Sequence, residues 1–481
     1  MSTTSFALAR SRRTPLASAV AALFALSAPA AYATTFVTNC NDAGAGSLRA
    51  AVITAAEGDT VDASGLTAAS PGCGLSKITL KTGDIVINRN TLTIKGPGPA
   101  NLTVTAKYDP GMGGATHQYQ NRIFTHNGTG TLHIEDMTVN KGYQVTTGTT
   151  AALGGCVYSK AGVALKNVNM TFCTAKSATG ASKGGAIYSK GQTYTMMSNL
   201  TFNAATSVSN AGYGGAVAAN GSFIAKYSSF TLNTATNAAN TNGISGGIDT
   251  RGTLALIRNT TISANHSDGN IGGLTVVNGG ASATLINSTI SGNTAPNGLV
   301  GGVYLGGDDI ALYNSTIVYN TSKLASINLG PGVTIVGMGS PKTLKLESNL
   351  IANNSYGASN IQNDLTVIGS PTTTGHNNLI RTPSGSVPGD TIANKCPLLK
   401  PLKDNGGLTQ THSLYGHSPA LDVGNTTGSG SFDQRGQASI NGTIDYPRVS
   451  GPPGVTAVAD IGAFEVNQSE EIFDSAFEGC P

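Results

Sequence analysis

The chain has no tryptophan, and its aromatic and charged residues are scarce. Aromatic residues make up 6% and Asp, Glu, Lys and Arg together 11% of 481 residues, with a formal net charge of +3. Such a composition favours few helices. No cluster of Lys or Arg alternates with aromatic residues, so the sequence implies neither nucleic acid nor anionic lipid as a partner.

The sequence also has no long hydrophobic run. No stretch reaches 18 consecutive apolar residues, which predicts that the chain has no transmembrane segment. At residues 1–33, arginines precede an apolar stretch at 16–26, and small residues follow at 31–33. This order indicates a signal peptide with the mature chain starting at Thr34, and hence an exported protein that is soluble or peripherally attached.

The six cysteines show neither Cys-x-x-Cys nor histidine-rich spacing. In an exported chain this pattern favours disulfides over metal binding. From their locations we predict three bonds, Cys40–Cys73, Cys156–Cys173 and Cys396–Cys480. The alternative for Cys156 is an unbonded place in an inward-facing ladder that also contains Ala186 and Ala216.

Glycine pairs recur at intervals of about 30 residues, which is typical of a solenoid. Each pair precedes a short, mostly apolar run, and a second run such as VNMTF or NSTIS follows. Short runs rich in Val, Ile, Thr and Tyr indicate strands. We therefore predict an all-β protein, a right-handed parallel β-helix of about nine or ten coils. The pairs are Gly154-Gly155, Gly184-Gly185, Gly214-Gly215, Gly246-Gly247, Gly272-Gly273 and Gly301-Gly302.

Both ends of a β-helix need covers, because an open end exposes core and unpaired strand edges. Ser47 is a suitable N-cap for a short amphipathic helix that would end at Gly58 and plug the first coil. We expect an irregular cap at the other end. The predicted division is a signal peptide at 1–33, an N-terminal cap at 34–75, β-helix repeats at 76–396, a C-terminal cap at 397–466 and a tail at 467–481.

The segment 397–466 contains an ordered set of short motifs. These are Asp404-Asn405-Gly406-Gly407, Asp433-Gln434-Arg435-Gly436, Arg448 and Asp460-Ile461-Gly462-Ala463-Phe464-Glu465. In this order they resemble the choice-of-anchor Q family. The resemblance implies a bacterial surface or secreted protein with a pectin-lyase-like β-helix, and it implies no reaction. The last residues are similar to Ile-Phe-x-x-x-Phe-Glu endings of exported Gram-negative proteins, which implies an extracellular or outer-surface location.

Five charged residues stand out in this weakly charged cap: Asp433, Arg435, Arg448, Asp460 and Glu465. Ion pairs among them would stabilise an irregular segment. The alternative is a calcium site formed by the three carboxylates, since calcium prefers such oxygen ligands. No Asp-x-Asp-x-Asp-Gly loop is present to fix ligand geometry, so we favour ion pairing.

Two places in the repeats are weak candidates for catalysis. Asp249 and Arg251 lie two apart in a predicted strand and share a face, as do the Lys or Arg base and the calcium-binding carboxylates of polysaccharide lyases on this fold. Asp308 and Asp309 weakly resemble the paired carboxylates of inverting glycoside hydrolases. The companion motifs of those hydrolases are absent, so a turn is the simpler interpretation of Asp308 and Asp309. For Asp249 and Arg251, the simpler interpretation is a surface ion pair.

A candidate binding surface repeats in two consecutive coils. It presents tyrosine rings, serine hydroxyls and lysine cations about 5 Å apart. The surface could bind glycan, or the tyrosines could complete the core edge while the lysines discourage strand-edge pairing. The residues are Tyr158, Ser159, Lys160, Tyr188, Ser189 and Lys190.

Asn-x-Ser/Thr sequences recur beside the strands. They could be glycosylation acceptors, but their spacing of one per coil favours an asparagine ladder with hydrogen bonds between coils. The asparagines are Asn169, Asn199, Asn259, Asn287 and Asn314.

Three functional classes follow from these patterns. The missing catalytic motifs favour a non-catalytic exported protein, adhesin-like or a scaffold, and a monomer. A glycan-binding module, or a polysaccharide lyase or hydrolase on the same fold, is the alternative. Cell-surface components or glycan are the expected partners. No cofactor is expected, apart from the calcium considered above.

Overall fold

A computed structural model describes residues 33–107, 121–237, 244–323, 329–338, 342–436, 446–448 and 458–466. Within these ranges the chain forms a parallel β-helix with one short helix, which confirms the predicted fold class. One sheet has eleven strands, one from each coil, so the helix is slightly longer than the nine or ten coils expected. The predicted signal peptide and the tail at 467–481 lie outside the described residues.

Three sheets run along the coil, which we call faces A, B and C. Most coils contribute two strands to face A, separated by a bend. The strands of face A are Thr34–Phe36, Thr60–Asp62, Lys77–Leu80, Leu92–Lys95, Thr103–Ala106, Thr131–Asn140, Gly162–Thr171, Thr193–Met196, Asn199–Thr201, Phe223–Lys226, Ser229–Thr231, Leu254–Arg258, Thr261–Ser263, Ser282–Ile286, Thr289–Ser291, Asp309–Tyr313, Thr316–Val318, Thr343–Glu347, Leu350–Ala352, Thr372–Thr374 and Leu379–Ile380.

Face B has one strand per coil, and so has face C up to its last two strands, which form an antiparallel hairpin. The strands of face B are Ile85–Ile87, Phe124–His126, Val157–Ser159, Ile187–Ser189, Val217–Ala219, Ile248–Thr250, Leu274–Val277, Val303–Gly307, Val333–Gly337, Leu365–Ile368 and Pro383–Ser384. Those of face C are Tyr143–Thr146, Thr174–Ser177, Ala204–Ser207, Thr234–Asn237, His266–Ser267, Thr294–Ala295, Thr321–Ser322, Ser355–Tyr356 and Ile361–Gln362. Three short strands pair at the corner between faces C and B: Ala152–Leu153, Ser182–Lys183 and Gly212–Tyr213.

The core is built from side chains that stack in register from coil to coil. On face B, Val157, Ile187, Val217 and Ile248 align and are fully buried. Burying a side chain of this size contributes about 1.5–3 kcal/mol. The glycine pairs precede these strands as predicted. A Cβ on Gly185 would lie 2.0 Å from the Gly215 carbonyl oxygen, so the coils can approach only with glycine there.

A buried asparagine ladder runs along the turn between faces A and C. Each side-chain Nδ2 donates to the Oδ1 of the next asparagine, and the last asparagine donates to Asp364, all at 2.9 Å. This series satisfies the buried polar groups of the turn. The ladder residues are Asn203, Asn233, Asn265, Asn293, Asn320 and Asn354.

The ladder is not the one that the Asn-x-Ser/Thr pattern predicted. Asn199 does donate to Asn169, at 3.1 Å, on the exposed surface. Asn199 aligns through Ser229 with Thr261, however, so Asn259 lies two residues before that register. Asn259 occupies the bend between the two strands of face A, with a φ of 50°. The Asn-x-Ser/Thr pattern therefore includes asparagines from two different structural positions, the exposed strand surface and the bend.

The N-terminal cap contains helix α1, Leu48–Thr54, as predicted. The Ser47 hydroxyl accepts a hydrogen bond from Ala50 N, and the apolar side of the helix is buried. The helix ends before the expected Gly58. The predicted Cys40–Cys73 disulfide closes this cap, with a Cα–Cα distance of 4.9 Å.

The predicted Cys156–Cys173 disulfide also forms, inside the coil. Cys156 stands directly before Val157, which aligns with Ile187, Val217 and Ile248 in the following coils. Cys156 therefore also has the ladder position of Ala186 and Ala216, although it is disulfide-bonded. Cys396 is disulfide-bonded, and its predicted partner Cys480 lies outside the described residues.

The C-terminal cap is irregular, as predicted, but it packs against the side of the coil. Asn259 and Asn287 donate to the carbonyls of Asp433 and Phe432, both at 2.9 Å. Ala463 N donates to Thr316 Oγ1 at 2.9 Å. The cap therefore covers the outer surface of face A over several coils. Among the described residues, no helix has the length and apolarity needed to span a bilayer.

Candidate functional site

The outward side of face B carries the predicted tyrosines. Tyr158 and Tyr188 align, and their rings stack nearly parallel with centroids 5.9 Å apart. The Arg122 guanidinium lies 5.3 Å from the Tyr158 ring centre, and Asn220 Nδ2 donates to the Tyr188 hydroxyl at 3.1 Å. We call these four residues the tyrosine strip. Stacked rings beside cationic and amide groups offer flat contact area with polar groups at its edge.

The lysines and serines of the predicted surface separate in the structure. Lys160 and Lys190 are exposed, at the edge of the tyrosine strip. Ser159 and Ser189 are fully buried and point into the coil, because successive residues of a strand face opposite sides. Ser159 contacts His126 Nδ1 at 2.7 Å in the interior. The exposed surface thus presents the two lysines without the serine hydroxyls, while Tyr158 is half-buried and Tyr188 is 5% exposed.

Asp249 and Arg251 lie on the same outward side, further along face B. Arg251 Nε donates to Asp249 Oδ1 at 3.0 Å, and Asp249 is 3% exposed while the Arg251 side chain is 44% exposed. Burial raises the pKa of Asp249, and the neighbouring Arg251 opposes that rise. The Arg251 guanidinium also lies 5.4 Å from the centre of the Tyr213 ring. The Asp249 carboxylate is buried and paired with Arg251, an arrangement typical of a structural ion pair.

A cleft of about 350 Å³ opens beside Arg251. Its walls are mostly apolar, and Thr275 and Tyr304, which align with Asp249 in the two following coils, line it. Sequence reasoning missed this cleft. A signal for it exists, because an apolar residue stands directly before successive glycine pairs, as at Ile271 and Val300.

The other pair of candidate carboxylates lies elsewhere. Asp309 begins a strand of face A, where its Oδ1 accepts a hydrogen bond from Thr343 at 2.6 Å. Asp308 is the single residue between that strand and the preceding strand of face B, Val303–Gly307. No hydrogen bond or ion pair among the described residues joins either carboxylate to Asp249 or Arg251. The structure therefore does not bring the four candidates together.

The charged residues of the cap are buried together. Asp433 and Arg435 form the expected ion pair, with Nη2–Oδ2 at 2.8 Å and both side chains fully buried. The Arg435 guanidinium also lies 3.8 Å from the Phe464 ring centre. Arg448 donates to Asn287 Oδ1 at 3.0 Å and to the Gly462 carbonyl at 2.9 Å. These contacts fasten the cap to face A.

The three carboxylates named as candidate calcium ligands each accept a hydrogen bond from a backbone amide. Asp460 and Glu465 accept from the backbone amides of Val466 and Asp460, and Asp433 accepts from that of Glu465. Over the described ranges, no three His, Cys, Asp or Glu side chains are arranged to hold a metal ion. Burial, followed by the nearby charge of Asp460, raises the pKa of Glu465.

A scan against protein-family models, a search of curated proteins and a search of solved structures each find no match to this chain. The fold rests on the coil geometry, and the resemblance of the cap to the choice-of-anchor Q family rests on its motifs alone.

Proposed function

We propose that this chain is an exported, non-catalytic β-helix protein of the choice-of-anchor Q type. It acts at or beyond the outer surface of a Gram-negative bacterium as an adhesin-like protein or scaffold, and it works as a monomer. The tyrosine strip carries this proposal, since it is an ordered array of rings and polar groups beside the exposed Lys160 and Lys190. Its ligand class is glycan, held at the edge of the half-buried Tyr158 ring and by the neighbouring lysines.

Three features support export. The N-terminal order of arginines, an apolar stretch and small residues is that of a signal peptide. The disulfides Cys40–Cys73 and Cys156–Cys173 favour an oxidising compartment. The motifs around Arg435 and Arg448 support a surface or secreted family.

Glycan binding is tested with the mature chain on a panel of neutral and acidic polysaccharides, with and without calcium. Replacing Tyr158 by Ala removes the more exposed ring of the stack, and we expect about a tenfold loss of affinity from the lost ring contact. Lys345→Ala, on face A, is the matched surface control and should bind as the unchanged chain does. Saturable binding that Tyr158→Ala leaves intact would place the ligand elsewhere.

The same mixtures test the enzymatic alternative. Unsaturated product, read by ultraviolet absorbance, or new reducing ends would identify a lyase or a hydrolase. Loss of that product in Asp249→Asn or Asp309→Asn would assign it to one of the two carboxylate positions. Such a product would overturn the non-catalytic proposal, whereas binding without product would support it.

A further inference from the structure

The cleft beside Arg251 has one wall formed by an aliphatic ladder at the corner of the coil. Ile244, Ile271, Val300 and Leu329 each precede the glycines that open the next strand of face B, and all four line the cleft. Ile271 and Val300 form a β-bridge, so the ladder is held in register. The ring of Tyr304 lines the cleft from face B. The cleft therefore offers a long apolar surface to a ligand.

Only a few polar groups accompany these walls. Among the described lining residues they belong to Arg251, Asn270 and Thr275, besides the hydroxyl of Tyr304. Thr275 is 1% exposed, and its Oγ1 has no hydrogen-bond partner within the described chain. A buried hydroxyl without a hydrogen-bond partner lowers the stability of the folded state. Rotation about χ1 of Thr275 to another staggered rotamer exchanges the positions of its hydroxyl and methyl groups. A ligand atom in the cleft would supply the missing partner.

Arg251 has one edge of its guanidinium available. Asp249 accepts from Nε at 3.0 Å and from Nη2 at 3.5 Å, which uses the side edge. The planar group has a second edge, formed by Nη1 and Nη2, which fits a carboxylate through two parallel hydrogen bonds. With 44% of the side chain exposed, this edge is accessible.

The local charge favours one negative group. Lys183 Nζ lies 5.2 Å from the centre of the Tyr213 ring, and the Arg251 guanidinium lies 5.4 Å from the same centre. The charge of Lys183 also acts on Asp249. Two cations and one carboxylate leave a net charge of about +1, which attracts a monoanion.

We propose that this cleft binds an aromatic carboxylate, an apolar ring that carries a single carboxylate. The ring packs between the aliphatic ladder and Tyr304, and the carboxylate meets the open edge of Arg251. A sugar ring fits less well, because its several hydroxyls would meet mostly aliphatic walls and lose hydrogen bonds to water. The volume is at the small end for ligand sites, which suits one ring. This proposal does not depend on glycan binding at the tyrosine strip.

The test is a titration of the mature chain with 4-hydroxycinnamate, its methyl ester and galacturonate, followed by calorimetry and ligand-observed NMR. We expect saturable binding of the carboxylate, about tenfold weaker binding of the ester, and weaker binding still of galacturonate. No binding of 4-hydroxycinnamate, equal binding of acid and ester, or preference for galacturonate would each overturn the proposal.

Variants locate the site. The double change Asp249→Asn with Arg251→Gln removes both charges, so neither is left buried alone, and should weaken binding about tenfold. Thr275→Val keeps the shape and should weaken it about threefold, and Val277→Phe should block the cleft without altering the ion pair. Lys226→Gln, on face A, should bind normally. If Val277→Phe folds and still binds as the unchanged chain does, the ligand lies elsewhere and the proposal fails.

Discussion

The second strands of face A divide into an open upstream half and a covered downstream half. Upstream, Thr201 and Thr231 point outward and are half-buried. Downstream, Ser263 and Ser291 occupy the same register and are buried beneath the C-terminal cap, as are the neighbouring outward residues Thr261 and Thr289. The coil geometry is the same in both halves. The difference therefore lies only in what the outward side chains contact.

The bends between the strands of face A show the same division. Every coil needs a left-handed residue there, and Met197, Tyr227 and Asn287 all adopt a positive φ of 46–51°. Asparagine tolerates this conformation better than bulky residues do. In the covered half its side chain also donates to the backbone of the cap, as Asn287 does to Phe432. Inward residues thus build the coil, while outward residues determine whether a face is open or covered.

The largest expected effect breaks the cap. Arg435→Ala leaves Asp433 fully buried without its ion-pair partner, which should lower the free energy of unfolding of the cap by about 3–5 kcal/mol. Hydrogen exchange should then speed up at the amides of Thr289 and other covered positions, while the upstream amides stay protected. Lys226→Ala, on the first strand of an upstream coil, is the control and should change neither half. Equal acceleration of both halves would mean that the cap and coil unfold as one unit.

The second prediction concerns the asparagine ladder, which runs through both halves. Asn233 and Asn293 make the same set of bonds, each donating at 2.9 Å to a strand carbonyl and to the next asparagine. Either asparagine changed to Ala leaves buried partners unsatisfied, and each should cost about 2–3 kcal/mol. Denaturant unfolding measures both. A much larger loss of stability for Asn293→Ala than for Asn233→Ala would show that the cap stabilises the ladder. It would contradict the conclusion that inward residues build the coil independently of the cap.

Much of the coil follows from the sequence, because inward positions have strict physical requirements. The glycine pairs predict the strands of face B, since no side chain fits at positions such as Gly185. The disulfide Cys156–Cys173 follows from spacing within one coil. The outward positions have no comparable constraint, so the pattern could not show that Asn259 and Asn287 contact the cap 140 or more residues later. The cleft likewise depends on the depth to which Ile271 and Val300 pack, which spacing alone does not give.

The third prediction uses pH to separate the halves. His412 belongs to the cap and contacts the coil: its Nδ1 donates to the Lys400 carbonyl, so Nε2 accepts from the Ser291 hydroxyl at 2.8 Å. Burial lowers the pKa of His412 to about 4. The folded state binds fewer protons than the unfolded state between about pH 4 and 6.5, so stability falls as the pH falls through this window. From pH 6.5 to 5, His412 by itself should lower the stability of the cap by about 2 kcal/mol, and the raised pKa of Glu465 acts in the opposite direction.

Asp364, at the end of the asparagine ladder, opposes this trend. Burial raises its pKa to about 6, so the folded state binds more protons and stability falls as the pH rises between about 4 and 6. His412→Gln should therefore remove the acid loss, and Asp364→Asn should deepen it in comparison with the unchanged chain. Thermal unfolding at pH 5 and pH 6.5 measures both variants. An acid loss that survives in His412→Gln would assign it to other groups.

The smallest expected effect compares one outward threonine from each half. Thr289 Oγ1 donates to Gln434 Oε1 at 2.6 Å beneath the cap, whereas Thr201 lies half-exposed on the open side. Thr289→Val keeps the shape but removes the hydroxyl, and leaves Gln434 Oε1 without that donor, so the cap should lose about 1 kcal/mol. Thr201→Val should change stability by less than about 0.5 kcal/mol, because water replaces its contacts. Hydrogen exchange of the cap amides resolves this difference, and equal values for the two variants would mean that the covered threonines act only through their shape.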